Sequence, residues 1–259
     1  MALITLLTDF GYRDPYLALL KAEFFAINSS LNLVDISHDI DKYDIQQAAF
    51  VFNRVYRSFP SSTVHLLGVE QAYTPCEYLI VRTEDAVFIA PDNGVLSLLE
   101  DFSPLQIIEI TQKEENSFLM KNELVKIACG LAAGKSLLDY GKEVEDYKKI
   151  FAPEIILKED QIIGNVVFVD SYGNLLTNIR RDIIDVTRGE REIEIKVGRE
   201  YLSTISKDYK VGQEARCIAL YNNDGYLEIA MTAANASKLL GVKYESIITV
   251  SFKPKQSLL

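Results

Sequence analysis

Carboxylates and carboxamides gather at the ends of apolar runs in this chain. The run Val166–Val169 leads straight into Asp170, Asn174 and Asn178, and Gly173 supplies the backbone freedom for a tight turn among them. Three upstream clusters repeat the pattern: Thr8-Asp9-Phe10-Gly11 with Asp14, His38-Asp39-Ile40, and Ala90-Pro91-Asp92-Asn93-Gly94. In open α/β sheets ligands bind at strand ends. A carboxylate such as Asp9 in that position can accept two hydrogen bonds from a ribose diol, or it can cap the next helix. The amides of Asn174 and Asn178 offer a donor and an acceptor, enough to read the edge of a purine, and they are equally at home in turns. Tyr43, Tyr73, Tyr172 and Tyr221 lie near these loops, where an aromatic ring can stack on a base.

Other chemistries lack their residues. Neither G-x-x-x-x-G-K-[ST] nor G-x-G-x-x-G occurs, so a bound nucleoside is expected to carry no phosphate tail. G-x-S-x-G is absent, and there are only two histidines. His65 falls inside an apolar strand and reads as a core residue, while His38 reads as ordering its loop. No Cys or His spacing suggests a metal site, and no cofactor is expected.

The elements that must position these clusters alternate in the first half. Strands are expected at Leu3–Thr8, Leu33–Ile36, Thr63–Val69, Tyr78–Arg82, Val87–Ala90 and Leu105–Ile110. Helices are expected at Asp14–Ile27, at Asp44–Phe59 with Asp44 as cap, and at Asn122–Ala133, and a short one at Gly94–Glu100. That alternation predicts an α/β domain with a largely parallel central sheet over residues 1–155. Beyond a polar, Pro-containing passage, β signals dominate at Gln161–Asp170, Glu192–Val197, Glu200–Leu202, Arg216–Tyr221, Tyr226–Met231 and Ile247–Phe252, and only Asn235–Leu240 reads as helix. Residues 156–259 are therefore expected to form an antiparallel β-barrel domain.

The 259 residues are 48% hydrophobic and 25% charged, as in a globular protein with a sizeable core. A net charge of −10 argues against nucleic-acid or anionic-membrane partners. No run of 18 apolar residues predicts a membrane span, and Met1–Leu7 reads as a first strand rather than a signal peptide. Cys76, Cys129 and Cys217 are odd in number and widely spaced, which suggests a reducing compartment; the cytoplasm is the expected location.

Taken together, the clusters resemble those of the S-adenosylmethionine hydroxide adenosyltransferase family, related to the fluorinase and chlorinase. The matching residues are Leu6-Leu7-Thr8-Asp9-Phe10-Gly11 with Asp14, Ser37-His38-Asp39-Ile40 with Asp44-Ile45 and Ala48-Ala49, and Phe59-Pro60 with Thr63-Val64-His65-Leu66. They continue with Ala90-Pro91-Asp92-Asn93-Gly94, Asp170 to Ile179, and Gly225-Tyr226-Leu227-Glu228-Ile229-Ala230. The resemblance implies an N-terminal α/β domain joined to a C-terminal β-barrel, as a homotrimer with S-adenosylmethionine between subunits. It implies Asp9 at the ribose hydroxyls, Asp14 at the methionine ammonium and Tyr43 near adenine. Asp170, Tyr172 and Asn174 would face methionine and adenine, the Asn222–Gly225 turn with Asn223 and Asp224 the methionine carboxylate, and the backbone near Ala233 the adenine edge.

The chain also departs from that pattern. Where hydrolytic members carry V-D-P-G-V-G-T-x-R-R, this chain has Val69-Glu70-Gln71-Ala72-Tyr73-Thr74-Pro75-Cys76-Glu77. Where they carry T-F-H-G-R-D, it has Ser117-Phe118-Leu119-Met120-Lys121-Asn122. The family Asp is thus Glu70, the Arg has no counterpart, and the His is Leu119. Met120 replaces the serine of the halogenases, which removes the expectation of halide chemistry. The resemblance implies hydrolysis of S-adenosylmethionine to adenosine and methionine, slowed by these losses. Glu70 could serve as the water-orienting base or equally be a loop residue, and Tyr73, in the same stretch, is expected near the substrate. The alternative is a non-catalytic module that binds S-adenosylmethionine or adenosine.

Overall fold

The computed structural model describes residues 3–69, 77–111, 120–151, 154–209 and 216–254. The chain divides into two compact units, Met1–Ala152 and Pro153–Leu259.

In the first unit the strands are β1 (Leu3–Thr8), β2 (Asn32–Ser37), β3 (Val64–Gly68), β4 (Tyr78–Arg82), β5 (Val87–Pro91), β6 (Gln106–Ile110) and β7 (Gly141–Glu143). The helices are α1 (Tyr16–Ile27), α2 (Ile45–Asn53) and α3 (Val125–Ala132). The seven-stranded sheet runs β2-β1-β3-β5-β4-β6-β7. Strands β2, β1, β3 and β5 are parallel, β4 reverses, β6 returns to the common direction and β7 reverses again, so the sheet is largely parallel as expected. Alternate residues feed two cores. Ile4, Leu6, Val64, Leu66 and Ile89 pack on one face with Leu20 and Phe24 of α1 and with Val125, Ile127 and Ala128 of α3. Leu7, Leu67 and Phe88 pack on the other with Ala48, Ala49 and Phe52 of α2. Burial of both faces is why these strands read as unbroken apolar runs.

Asp44 caps α2 as expected, accepting from the backbone N of Gln47 at 2.8 Å. The helix is shorter than expected: it ends at Asn53, Val55 adopts φ −128°, and only a single 3-10 turn, Tyr56–Ser58, follows. The expected helix at Gly94–Glu100 is likewise a 3-10 turn, Val95–Leu98.

In the second unit the strands are β8 (Ile156–Leu157), β9 (Gln161–Val169), β10 (Leu175–Arg180), β11 (Glu192–Val197), β12 (Glu200–Leu202), β13 (Ile205–Ser206), β14 (Cys217–Tyr221), β15 (Tyr226–Met231) and β16 (Ile247–Lys253). Two helices, α4 (Arg181–Arg188) and α5 (Ala236–Leu240), interrupt them. The sheet order is β12-β11-β16-β9-β10-β15-β14-β13, with β8 added to β9. Pairing is antiparallel except between β13 and β14, and β12 comes against β14, so the sheet curls nearly into a barrel. Period-two alternation points Ile193, Ile195, Val197, Ile248, Val250 and Phe252 into its core. Helix α4 is a correction to the sequence reading, which placed no helix between residues 156 and 234. Ile183, Ile184, Val186 and Thr187 are β-branched and weak helix formers. The helix forms nonetheless, with Ile184 buried and Arg181 paired to Asp185 four residues on at 3.3 Å.

His65 is a core residue, as its strand position suggested. It has no exposed surface. Its Nδ1 lies 2.6 Å from Thr5 Oγ1, and Phe52 and Phe88 enclose the ring with centroids at 5.1 and 5.3 Å. Burial pushes its pKa down to about 4. A histidine in the unfolded chain protonates near the ordinary value of about 6.5. Between those two pH values the unfolded state therefore binds more protons, and stability falls as pH is lowered through the window, by up to about 3 kcal/mol from this residue. Urea unfolding of the wild type and of His65→Phe at pH 7 and pH 4.5 checks this. The variant should lose distinctly less stability on acidification, whereas equal losses would place the acid sensitivity elsewhere.

Candidate functional site

Parallel pairing of β1 with β2 sets their C-terminal ends side by side, and so joins two of the sequence clusters. Asp9 follows β1 and is only 6% exposed. Its Oδ2 accepts from the backbone N of Tyr43 at 3.0 Å, and the Lys42 ammonium donates to its backbone carbonyl. Gly11 N donates to the carbonyl of His38 at 2.7 Å. The two loops are thereby laced together. Tyr43 sits in the left-handed region at φ 68°, a conformation that costs a non-glycine residue about 1 kcal/mol, and its ring is exposed. Asp14 is exposed just ahead of α1, preceding Pro15.

The Asp92–Gly94 cluster is spent on its own fold. Asn93 donates to Val69 O at 3.0 Å and accepts from Val95 N at 3.1 Å, while Asp92 Oδ1 accepts from Lys148 N at 2.7 Å. Asn93 thus ties down the residue that leads out of β3. Glu70 and Tyr73, which come next, lie outside the described residues, as does Leu119. Met120 has no exposed surface and belongs to the core beneath α3.

In the second unit the turn between β9 and β10 is built on Asp170. Its Oδ1 accepts from Tyr172 N at 2.9 Å and Asn174 N at 2.8 Å, and its Oδ2 accepts from Asn174 Nδ2 at 2.9 Å. Gly173 has φ 87°, and a Cβ there would stand 2.1 Å from Asn235 Cγ. Asn235 in turn caps α5 through Lys238 N at 2.8 Å.

This turn forms one wall of a cavity of about 600 Å³ lined by Asp170, Tyr172, Asn174, Tyr209, Met231, Thr232, Ala233 and Ala234. That volume lies within the range of small-molecule sites. Four of the expected residues, Asp170, Tyr172, Asn174 and Ala233, meet here. Ala233 has φ 54°, so the turn after β15 holds a left-handed non-glycine residue at the cavity. Tyr209 and Thr232 carried no signal in the sequence, and Glu228 stood out only as part of the matching run Gly225–Ala230. The Tyr209 hydroxyl donates to the buried Glu228 Oε1 at 2.7 Å, and burial together with that carboxylate raises its pKa well above the ordinary value. The buried Thr232 Oγ1 has no partner among the described residues.

No basic side chain occurs among these lining residues, and two carboxylates stand in or behind the wall, so the cavity favours a cationic ligand. Asn223 and Asp224 stand apart from it. Their turn lies at the opposite end of β15, organised by Asn222 Oδ1, which accepts from Asp224 N at 3.0 Å and Tyr226 N at 2.9 Å. Asn178 accepts from Asn165 N at 2.8 Å and so clasps β9 to β10, while Tyr221 packs with the barrel core. The thiols of Cys129 and Cys217 are pushed up to about 11, chiefly by burial, which makes them poor nucleophiles at neutral pH. Among the described residues no group of three His, Cys, Asp or Glu could hold a metal ion.

Comparison with known proteins gives the following. The N-terminal domain model of SAM hydroxide adenosyltransferase matches residues 4–141, and the C-terminal domain model matches residues 164–249. The chain is 26% identical to an (R)-S-adenosyl-L-methionine hydrolase of Methanocaldococcus jannaschii, with 96% of each chain covered. It is 22% identical to a fluorinase of Nocardia brasiliensis, with 90% of this chain and 91% of that one covered. A crystal structure of a conserved protein from Thermotoga maritima superposes with a TM-score of 0.87 at 28% identity, covering 96% of this chain and all of the other.

Two of the positive-φ glycines of the barrel unit, Gly225 and Gly173, differ in their surroundings. Gly225 has φ 79° and open space around an added Cβ, whereas Gly173 combines positive φ with the Asn235 clash. Alanine at Gly225 should cost about 1 kcal/mol from the backbone alone. Alanine at Gly173 should cost measurably more in urea unfolding and should also displace the Asp170 turn; equal costs would contradict the packing described.

Proposed function

From the premise that the chain belongs to the SAM hydroxide adenosyltransferase family, we propose that it hydrolyses S-adenosylmethionine to adenosine and methionine. The observation that carries this reading is the family match across both parts of the chain, together with the relative named as an (R)-S-adenosyl-L-methionine hydrolase. That name directs the reading to the R configuration at sulfur. The lack of basic residues among those lining the barrel-unit cavity supports it, because the substrate carries a sulfonium and an ammonium.

In the proposed reaction a water oxygen attacks the ribose C5′. The C5′–S bond breaks, and its electron pair stays on sulfur as the neutral thioether of methionine. The water proton passes to a base, for which Glu70 is the candidate. The sulfonium is already a good leaving group, so most of the acceleration falls to positioning and desolvation. Asp9 would take the ribose hydroxyls, Asp14 the ammonium, and Tyr43 and Tyr73 the adenine region. Asp170, Tyr172, Asn174 and the Ala233 backbone would hold methionine and adenine; Asn223 and Asp224, whose turn lies at the far end of β15 from the cavity, would meet the methionine carboxylate only from a neighbouring subunit of the trimer. The active form would be a homotrimer in the cytoplasm. Exposed Tyr16, Leu19, Phe25 and Ile27 on α1 supply apolar surface for subunit contact. Among the described residues no helix is long and apolar enough to cross a membrane.

Incubation with each sulfonium epimer in ¹⁸O-labelled water tests the reading. Hydrolysis at C5′ puts the label in the 5′-hydroxyl of adenosine and releases unlabelled methionine. Glu70→Gln should lower turnover by about 10²–10⁴-fold, the usual contribution of a general base. Tight binding of S-adenosylmethionine without release of adenosine would instead favour the non-catalytic module.

A further inference from the structure

His38 is fully buried at the end of β2, and the proposed reaction gives it no role. Its contacts nonetheless bracket Asp9. The ring Nδ1 lies 2.8 Å from Thr8 Oγ1, on the residue immediately before Asp9. The His38 carbonyl accepts from Gly11 N, two residues after it, at 2.7 Å. The ring Nε2 approaches Asp35 Oδ1 at 3.1 Å, off the line of a full hydrogen bond, and Lys21 holds Asp35 from the other side at 2.5 Å. Tyr12 packs edge-on against the ring at 5.6 Å.

These contacts fix the tautomer. Burial lowers the His38 pKa against the opposing pull of Asp35, so the ring is neutral near pH 7. Burial alone would raise Asp35, but its hydrogen bond from Lys21 and the close approach of the His38 ring outweigh that and hold the carboxyl below its ordinary value, so Nε2 faces an ionised carboxylate. The single ring proton belongs on Nε2, and Nδ1 is left to accept from the Thr8 hydroxyl. Thr8 Oγ1 accepts in turn from Phe10 N at 3.3 Å. The chain Lys21–Asp35–His38–Thr8 therefore runs from the surface to the residue before Asp9, and its last link fixes the backbone on both sides of Asp9.

We infer that His38 is a positioning residue for Asp9, setting through Thr8 where the Asp9 carboxylate meets the ligand diol. The inference rests on the reading of Asp9 as the acceptor of the ribose hydroxyls. A network that merely stabilised the fold would affect every ligand alike; one that aims Asp9 affects only ligands carrying the diol.

The test uses the full-length chain and compares adenosine with 2′,3′-dideoxyadenosine by calorimetry. The wild type should prefer adenosine. His38→Leu should lose most of that preference, by about tenfold or more, while its affinity for the dideoxynucleoside stays within about twofold of the wild type. His38→Asn, which offers an amide oxygen to Thr8, should recover part of it. Thr8→Val, a near-isosteric change that deletes only the held hydroxyl, should reproduce the loss even if the histidine variants fold poorly. In the Asp9→Asn background His38→Leu should add nothing further, because the two act in series. Equal weakening of both nucleosides, or full retention of the preference in His38→Leu and Thr8→Val, overturns the role of His38. If Asp9→Asn itself leaves the preference intact, the diol reading of Asp9 fails, and the inference falls with it.

Discussion

An aspartate at the end of a buried strand needs hydrogen-bond donors, because a desolvated carboxylate without partners costs several kcal/mol. Both Asp9 and Asp170 meet that need with main-chain N–H groups of neighbouring turns. Backbone donors do not swing away as side chains do, so each carboxylate is fixed by the fold itself. The rest of each cluster follows from this. Tyr43 accepts a left-handed conformation where its N–H meets Asp9, and Gly173 is the residue that fits between the Asp170 turn and Asn235. The Thr8 and His38 contacts stiffen the same loop from behind.

The charge pattern agrees with the chemistry proposed. A cavity with Asp170 in its rim, Glu228 behind Tyr209 and no basic lining residue among those described has a potential suited to a cation. For displacement at a sulfonium-bearing carbon the leaving group arrives activated, and the protein's main task is to hold C5′ and water in line. Carboxylates fixed by backbone donors suit that task better than a chain of strong acids and bases.

Much of the fold was legible because period-two and period-3.6 patterns report burial directly. The apolar runs of β1 and β3, the alternation in β11 and β16 and the Asp44 cap all follow from local chemistry. Helix α4 escaped because its β-branched residues mimic a strand, and its helicity is decided by burial of Ile184. The site was legible only where a cluster is contiguous in sequence. Asp170 and Asn174 announce themselves; Lys42 at Asp9 and Tyr209 at Glu228 meet only through tertiary pairing, across 33 and 19 positions of chain. The amide of Asn178, which looked available to a ligand, is used to join two strands.

The central claim is that fixed carboxylates select a positively charged sulfur nucleoside. It is tested most directly by titrating the protein with S-adenosylmethionine and with S-adenosylhomocysteine, which differs by one methyl group and one charge, at low and high ionic strength. Binding of S-adenosylmethionine should be at least about tenfold tighter, with an advantage that shrinks as salt is raised. Equal affinities, or a preference for the neutral thioether, would contradict the account.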